Sequence, residues 1–221
     1  MAQIENRLEV KNATEDTAEL FLYGVIRQAC FWEDEDSCVS AKNVKNNLDI
    51  LKGKSIDVHL NSPGGDVFES IAICNLLKQH DGTINVYIDA MAGSGASVIA
   101  TAGKNVYMFS NCMQMIHNAW ANVSGNAAEL RKKADDLDKI SFSAKQSYMS
   151  KFTGTEDELT TLLADESYLT AEECLAFGLC TEIITEPKEQ QPNVKALLFA
   201  KYYKAPQEDG KKPSIFNVFK K

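Results

Sequence analysis

The feature that most limits the fold is an alternation of short apolar runs with amphipathic segments in the first half of the chain. The apolar runs predict strands at Ala18–Ile26, Ile56–Leu60, Ile84–Asp89 and Asn105–Phe109. Apolar residues at helical spacing lie between them, at 40–51 and 67–79. Strands that alternate with helices of roughly 10–15 residues favour β-α-β units and a mostly parallel sheet. The sequence therefore predicts an α/β fold.

The composition is that of an ordinary globular protein. Of the 221 residues, 44% are hydrophobic and 24% are charged, and a single core can serve a chain of this length. No apolar run reaches the ~18 residues of a membrane span, and the N-terminus has no basic segment followed by an apolar one. The six cysteines form no C-x-x-C pair, which favours reduced thiols in a cytoplasmic protein without a membrane anchor.

Charge and proline content divide the chain near residue 186. Residues 1–185 carry a net charge of −12, whereas residues 186–221 carry +4 and four of the five prolines. An acidic body argues against nucleic acid as a partner. We therefore expect one domain at 1–185 and a basic, proline-containing tail at 186–221.

Two glycine-rich segments each follow a predicted strand. In Asn61-Ser-Pro-Gly-Gly65, proline and paired glycines can turn the backbone and expose N–H groups to a developing oxyanion. A tight strand-to-helix connection explains this segment equally well. In Ala92-Gly-Ser-Gly-Ala-Ser97, the flanking glycines leave Ser94 open to a large substrate, and the helix that follows favours negative charge there. The nucleophile elbow, the P-loop and the dinucleotide-binding fingerprint do not match this segment.

A histidine completes this set of residues. His117 follows the apolar run Met113–Ile116 and, taken alone, reads as an ordinary core histidine. His59 and His80 have no cysteine or acidic neighbours at ligand spacing, so we assign no metal site. Together, the glycine amides, Ser94 and His117 supply oxyanion donors, a nucleophile and a base in an order that a β-α-β core can bring together.

These motifs resemble the proteolytic subunit of the Clp protease (ClpP). The matching segments are Asn61–Gly65, Ala92–Ala96, Ala102-Gly103, Met115–His117 and Tyr168–Leu179, within a resemblance that covers roughly residues 18–185. The segments Gly65–Ile73 and Gly125–Ala127 are more similar to the phage and prophage branch, which is related to head maturation proteases that trim capsid or scaffold proteins.

The resemblance implies a ClpP/crotonase-like fold of repeated β-β-α units with a projecting long helix. It makes Ser94 the nucleophile of a serine endopeptidase, His117 the general base, and the backbone N–H groups of Gly64 and Gly95 the oxyanion hole. No cofactor takes part. The implied assembly is a homo-oligomeric ring, with a double heptameric ring as one arrangement, which encloses polypeptide substrates.

The resemblance also implies an acid that orients the histidine, and here the sequence is less definite. A count back from Tyr168 places this acid at Leu162, which cannot orient an imidazole. The nearest acids are Asp165 and Glu166. We favour Asp165, which a shortened loop could bring to His117, and keep Glu166 and a Ser-His dyad as alternatives.

Other functions and partners remain open at this stage. One alternative is a cellular subunit for ATP-dependent degradation with an AAA+ ATPase partner, in place of a phage protease with a capsid or scaffold partner. A crotonase-like acyl-CoA enzyme and a ring component without activity are the others. The charge-rich stretch 126–152 predicts a long helix that lies either on the surface or in contacts between subunits. The tail could remain unattached, or dock on the acidic body.

Overall fold

The computed structural model describes residues 4–29 and 38–185. The strands in these residues are β1 (Arg7–Lys11), β2 (Thr17–Ile26), β3 (Ser55–Gly65), β4 (Ile84–Gly93), β5 (Asn105–Phe109), β6 (Met113–Ile116), β7 (Ser167–Thr170) and β8 (Glu182–Ile184). The helices are α1 (Ala41–Ile50), α2 (Val67–Lys78), α3 (Gly95–Ala100), α4 (Ala127–Met149), α5 (Glu156–Ala164) and α6 (Ala171–Ala176). The expected α/β class and ClpP-like fold are confirmed.

One mixed sheet joins the described strands in the order β1-β2-β3-β4-β5-β8. The pairs from β2 to β8 along this path are parallel, and β1 is antiparallel to β2. Strand β6 lies off this path: it runs parallel to the last residues of β4 and pairs antiparallel with β7. Because β6 pairs with the end of β4, the residues that follow β6 lie at the carboxyl edge of the parallel strands.

Alternating apolar residues explain why the strands form a sheet with one closed face. Inward-facing side chains such as Leu20, Val58 and Val86 are fully buried, as the period of two along a strand requires. Helices α2 and α3 cover them with buried residues that include Ile73 and Ile99. The core therefore lies directly behind the strand ends that carry the glycine-rich segments.

The opposite face carries a half-buried row of rings. His59 stacks between Phe21 and Tyr87, with ring centroids 4.5 and 5.1 Å apart, and Tyr87 stacks on Tyr107 at 4.7 Å. His59 Nδ1 lies 3.0 Å from Asp89 Oδ2. The histidine is thus held by neighbouring strands, and its carboxylate partner lies 30 residues away in sequence.

The sequence missed some strands and misplaced one boundary. Asn61–Gly65, expected to be a connection, continues β3, with a register shift against β4 between Leu60 and Ser62. The strands β1, β6, β7 and β8 were not expected as separate elements, because they are 3–5 residues long and such runs carry little periodicity. The tail at 186–221 and its boundary lie outside the described residues.

The long helix is present over Ala127–Met149, inside the expected range 126–152. The Asn126 side chain caps it by accepting hydrogen bonds from backbone N–H groups of the first turn, and the Glu129 carboxylate accepts one from the Asn126 N–H. These bonds satisfy N–H groups that have no acceptor within the helix. Among the described residues, no helix is apolar and long enough to cross a membrane.

Candidate active site

The serine and the histidine meet where β4 and β6 end side by side. Gly93 of β4 pairs with Met115 of β6, and the Ser94 N–H donates a hydrogen bond to the Met115 carbonyl at 2.7 Å. This register places His117, two residues further along, beside Ser94. The distance between His117 Nε2 and Ser94 Oγ is 2.7 Å, within the range that a nucleophile and its general base require.

The backbone of Ser94 has an unusual conformation, with φ 50° and ψ −121°. A non-glycine residue at positive φ stores on the order of 1–3 kcal/mol, and such residues concentrate at functional sites. Ser94 sits on a sharp turn from strand β4 into helix α3, as in a nucleophile elbow, although the elbow motif is absent from the sequence. The backbone therefore presents the hydroxyl away from both elements that flank it.

The two glycine-rich segments are in direct contact. Gly64 has φ 92°, and a Cβ atom added to it would lie 2.7 Å from Ser94 Cβ and 2.8 Å from the Gly95 nitrogen. A Cβ on Gly95 would overlap the Ser70 hydroxyl. Glycine is favoured at position 64 because backbone atoms of Gly93 and Gly95 leave no room for a side chain, and at position 95 because the Ser70 side chain packs against it.

Backbone N–H groups around Ser94 differ in whether they already have an acceptor. The Gly64 N–H donates to Ser62 Oγ at 3.0 Å, and the Asp66 N–H donates to the Ile26 carbonyl at 2.8 Å. Neither bond uses the N–H of Gly65. The Gly95 N–H begins helix α3, where no intrahelical acceptor exists. The bond to Ser62 occupies the Gly64 N–H, which the resemblance assigns to the oxyanion hole.

Two cavities flank the Ser94–His117 pair. One is lined largely by apolar side chains, among them Val67, Val98 and Ala144. The other is lined by Pro63, Gly64, Met115 and Glu166 together with the catalytic pair. Trp120 borders both cavities, and 67% of its surface is exposed. The sequence did not single out this tryptophan, since its role depends on where the segment after β6 crosses the site.

The structure places the two candidate acids, Asp165 and Glu166, differently with respect to the Ser94–His117 pair. Asp165 caps the end of α5, and its side chain is exposed. Glu166 instead lines a cavity with Ser94 and His117. The antiparallel register pairs Ile116 with Ser167, so the next residues along each strand, His117 and Glu166, come opposite one another.

The count back from Tyr168 gave a position that is not acidic. It led to Leu162, which lies within α5 and packs against the hydrophobic core. Within residues 4–29 and 38–185, we find no carboxylate hydrogen-bonded to His117. Glu166 has φ 51°, a second non-glycine residue at positive φ in this site besides Ser94.

A buried hydroxyl chain lies behind the nucleophile. Ser97 Oγ is 2.5 Å from the Ser94 carbonyl oxygen and 2.7 Å from the Tyr148 hydroxyl. Burial raises the pKa of the Tyr148 hydroxyl well above its ordinary value, and its hydrogen bond to Ser97 lowers that pKa by less. Tyr148 therefore stays protonated over the range in which a peptidase works, and helix α4 reaches the nucleophile through it.

The described cysteines take no part in this chemistry. Cys38, Cys74, Cys112, Cys174 and Cys180 are buried, and burial raises the pKa of Cys174 to about 12. A thiol is unreactive in that state, because the thiolate is the nucleophile. No group of three potential metal ligands occurs among the described His, Cys, Asp and Glu residues.

A serine and histidine in hydrogen-bond contact, with backbone amides beside them, are the parts of a serine hydrolase site on an α/β fold. A comparison with protein-family models agrees with this class. The model of the Clp protease family, described as Clp protease, matches residues 25–187. The chain therefore belongs to the Clp protease family, whose members are peptidases that act on polypeptides and typically form oligomeric rings.

Proposed function

We propose that the protein is a serine endopeptidase in which Ser94 is the nucleophile and His117 the general base. The observation that carries the proposal is the 2.7 Å distance between His117 Nε2 and Ser94 Oγ. His117 takes the proton of the hydroxyl as Ser94 attacks the scissile carbonyl, and returns it to the leaving amine. Water then hydrolyses the acyl-enzyme by the same route in reverse.

The oxyanion of the tetrahedral intermediate would lie between β3 and the start of α3. Gly95 supplies one N–H from the first turn of α3, where the helix dipole also favours negative charge. Gly65 is the better second donor, because the Gly64 N–H is bonded to Ser62. Use of Gly64, as the resemblance implied, would require that bond to be shared or broken.

Glu166 is the candidate for the group that orients His117. It borders the cavity that contains the pair, and the register of β6 with β7 brings it opposite the histidine. A carboxylate there would hold the imidazole in the tautomer whose Nε2 accepts the serine proton. A Ser-His dyad is the alternative, in which Glu166 contributes only to the cavity wall.

The substrates would be polypeptides whose side chains enter the apolar cavity beside Ser94. Val67, Val98 and Ala144 line it, so removal of apolar surface from water would favour apolar substrate residues. We place the chain with phage or prophage head maturation proteases, which process capsid or scaffold proteins, on the segments Gly65–Ile73 and Gly125–Ala127. Cellular degradation with an ATPase partner, in the cytoplasm, is the second candidate.

Purified wild-type and Ser94→Ala proteins test the proposal. We expect the wild type to cleave a fluorogenic peptide and react with a fluorophosphonate probe at Ser94, and the variant to do neither. Turnover should fall by about 10⁶, the effect of losing the nucleophile of a triad. Residual activity above about one per cent would exclude Ser94 as the nucleophile. Acyl-CoA binding by an unlabelled wild type would instead support the crotonase-like alternative.

Substrate choice needs a second experiment. A capsid or scaffold polypeptide should be trimmed at a few positions by the wild type alone, with no nucleotide present. Cleavage that requires an added AAA+ ATPase and ATP would favour the degradation role.

A further inference from the structure

The interaction that points beyond the proposed site is the buried hydroxyl chain from α4 to the nucleophile turn. Ser97 and Tyr148 are 0% and 1% exposed. The Ser97 hydroxyl has one hydrogen to donate, and the Ser94 carbonyl oxygen at 2.5 Å is its nearest acceptor. The Met115 carbonyl oxygen, at 3.2 Å, is a longer alternative acceptor for the same hydrogen. With this hydrogen directed at a carbonyl, Ser97 Oγ accepts the bond from the Tyr148 hydroxyl, 2.7 Å away. The direction of the chain is Tyr148 to Ser97 to the Ser94 carbonyl.

The Ser94 carbonyl shares a peptide plane with the Gly95 N–H. A trans peptide is rigid and planar, and its C=O and N–H point in opposite directions. Whatever holds the Ser94 oxygen toward the protein interior therefore aims the Gly95 N–H the opposite way. The backbone N–H groups of Ser97 and Val98 also donate to this oxygen, at 3.0 and 3.4 Å, so the hydroxyl is a third and shorter restraint on the same atom.

This plane needs a restraint because its first residue is strained. Ser94 adopts φ 50° and ψ −121°, outside the regions where a serine rests without cost. Rotation of the plane would relax Ser94 and turn the Gly95 N–H away from the oxyanion position. A buried hydrogen bond opposes that rotation strongly, since breaking it leaves a polar group without a partner in the interior.

We infer that Ser97 and Tyr148 are positioning residues, which orient the Gly95 N–H for the transition state by holding the Ser94 carbonyl. The inference rests on the proposed role of Ser94 and Gly95. It assigns a function to α4 within its own subunit: the last turns of this helix complete the oxyanion hole. Neither side chain contacts the reacting atoms through its hydroxyl, so the effect on catalysis is indirect.

The test compares Ser97→Ala and Tyr148→Phe with the wild type, and each change removes only a hydroxyl. We expect kcat to fall about tenfold for Ser97→Ala and somewhat less for Tyr148→Phe, with KM unchanged, because the oxyanion forms only in the transition state. The double variant should be no slower than Ser97→Ala, since Tyr148 acts through Ser97.

Thr101→Val is the matched control. Thr101 is buried at the end of α3, the helix that contains Ser97. Its hydroxyl donates to the Val98 carbonyl at 2.7 Å, away from Ser94. The control should lower thermal stability while kcat stays at the wild-type value. Equal losses of kcat in Thr101→Val and Ser97→Ala would overturn the inference, as would a change in KM alone or a wild-type kcat in Ser97→Ala.

The outcomes also separate this inference from the proposed function. If Ser94→Ala retains activity, the proposed function fails. If Ser94→Ala is inactive and Ser97→Ala is normal, the peptidase assignment stands and the positioning role is wrong.

Discussion

The turn at Ser94 is closely packed, whereas the segment from Trp120 through the first half of α4 is exposed. At the turn, strands and helix α3 approach so closely that Gly64 and Gly95 have no room for a Cβ atom. Residues 120–135 are all exposed, and their bonds are short-range, such as Lys132 to Asp136 at 2.9 Å. The Ser94–His117 geometry is therefore built by contacts within this chain, whereas the described residues leave the exposed segment open to solvent.

The exposed segment carries apolar side chains that its own fold does not cover. Trp120, Val123 and Leu130 are 67%, 45% and 41% exposed. Large exposed apolar side chains grouped together are typical of surfaces that meet another chain, and members of this family typically form rings. We propose that the first half of α4 contributes to contacts between subunits, while its last turns serve the site through Tyr148.

The largest effect on turnover is expected at the proposed catalytic pair, Ser94 and His117, which lies in the closely packed region. His117→Ala should reduce turnover about as much as loss of the nucleophile, on the order of 10⁶, because the two act as one unit. Native mass should not change, because the half-buried imidazole is not one of the exposed apolar side chains between Trp120 and Leu130. Peptidase assays with native mass spectrometry check both parts. A fully active variant would remove His117 from the mechanism.

The next effect separates the two candidate acids. Glu166→Gln should lower kcat by as much as ~10⁴ if this carboxylate fixes the histidine tautomer. Asp165→Asn is the matched control and should remain close to wild type, because Asp165 caps α5 and does not line the cavity. Steady-state kinetics of both variants decide the assignment. The reverse pattern would restore Asp165, and two active variants would indicate a dyad.

A smaller effect measures how tightly the turn is packed. Gly64→Ala should cost about 2–4 kcal/mol in the free energy of unfolding, because it combines a positive φ with overpacking against Ser94. Gly53→Ala is the control: Gly53 also has a positive φ, 79°, but no atom lies within 4 Å of an added Cβ. It should cost only about 1 kcal/mol. Denaturant unfolding measures both, and equal costs would show that the close approach is not needed.

The smallest effect on subunit stability is expected in the exposed half of α4. Reversing Lys132 and Lys133 to glutamate breaks a surface ion pair with Asp136, which is worth roughly 0–1 kcal/mol. The free energy of unfolding should barely change, but native mass should fall if this face joins subunits. Lys52→Glu, an exposed reversal outside α4, should leave the assembly intact. An unchanged oligomer in the α4 variant would make this helix a solvated surface.

The basic tail remains a prediction that calls for its own measurement. Residues 186–221 lie outside the described part of the chain, and their charge of +4 contrasts with −12 in the rest. If the tail docks on the acidic body, limited proteolysis should be slow at low salt and fast at high salt, because salt screens the attraction. Equal rates, together with unchanged activity after truncation at Glu186, would exclude docking.

Much of the fold could be predicted from the sequence because its signals are local. The apolar runs of β2, β3, β4 and β5 and the capped pattern of α4 each depend on neighbouring residues only. The glycines beside Ser94 and the histidine after β6 likewise indicated a nucleophile and a base, because backbone freedom and side-chain chemistry belong to single positions. These signals were sufficient to predict the α/β fold and a peptidase of the Clp family.

Contacts between residues that are distant in sequence were decided only by the tertiary structure. The pairing of β6 with β7 brings Glu166 to the wall of the cavity that contains Ser94 and His117, whereas the adjacent Asp165 caps α5. The Gly64 N–H is bonded to Ser62 Oγ, and Tyr148 reaches Ser97 from 51 residues away. Strand register, loop hydrogen bonds and helix docking depend on how whole elements pack, so a local sequence pattern cannot predict them.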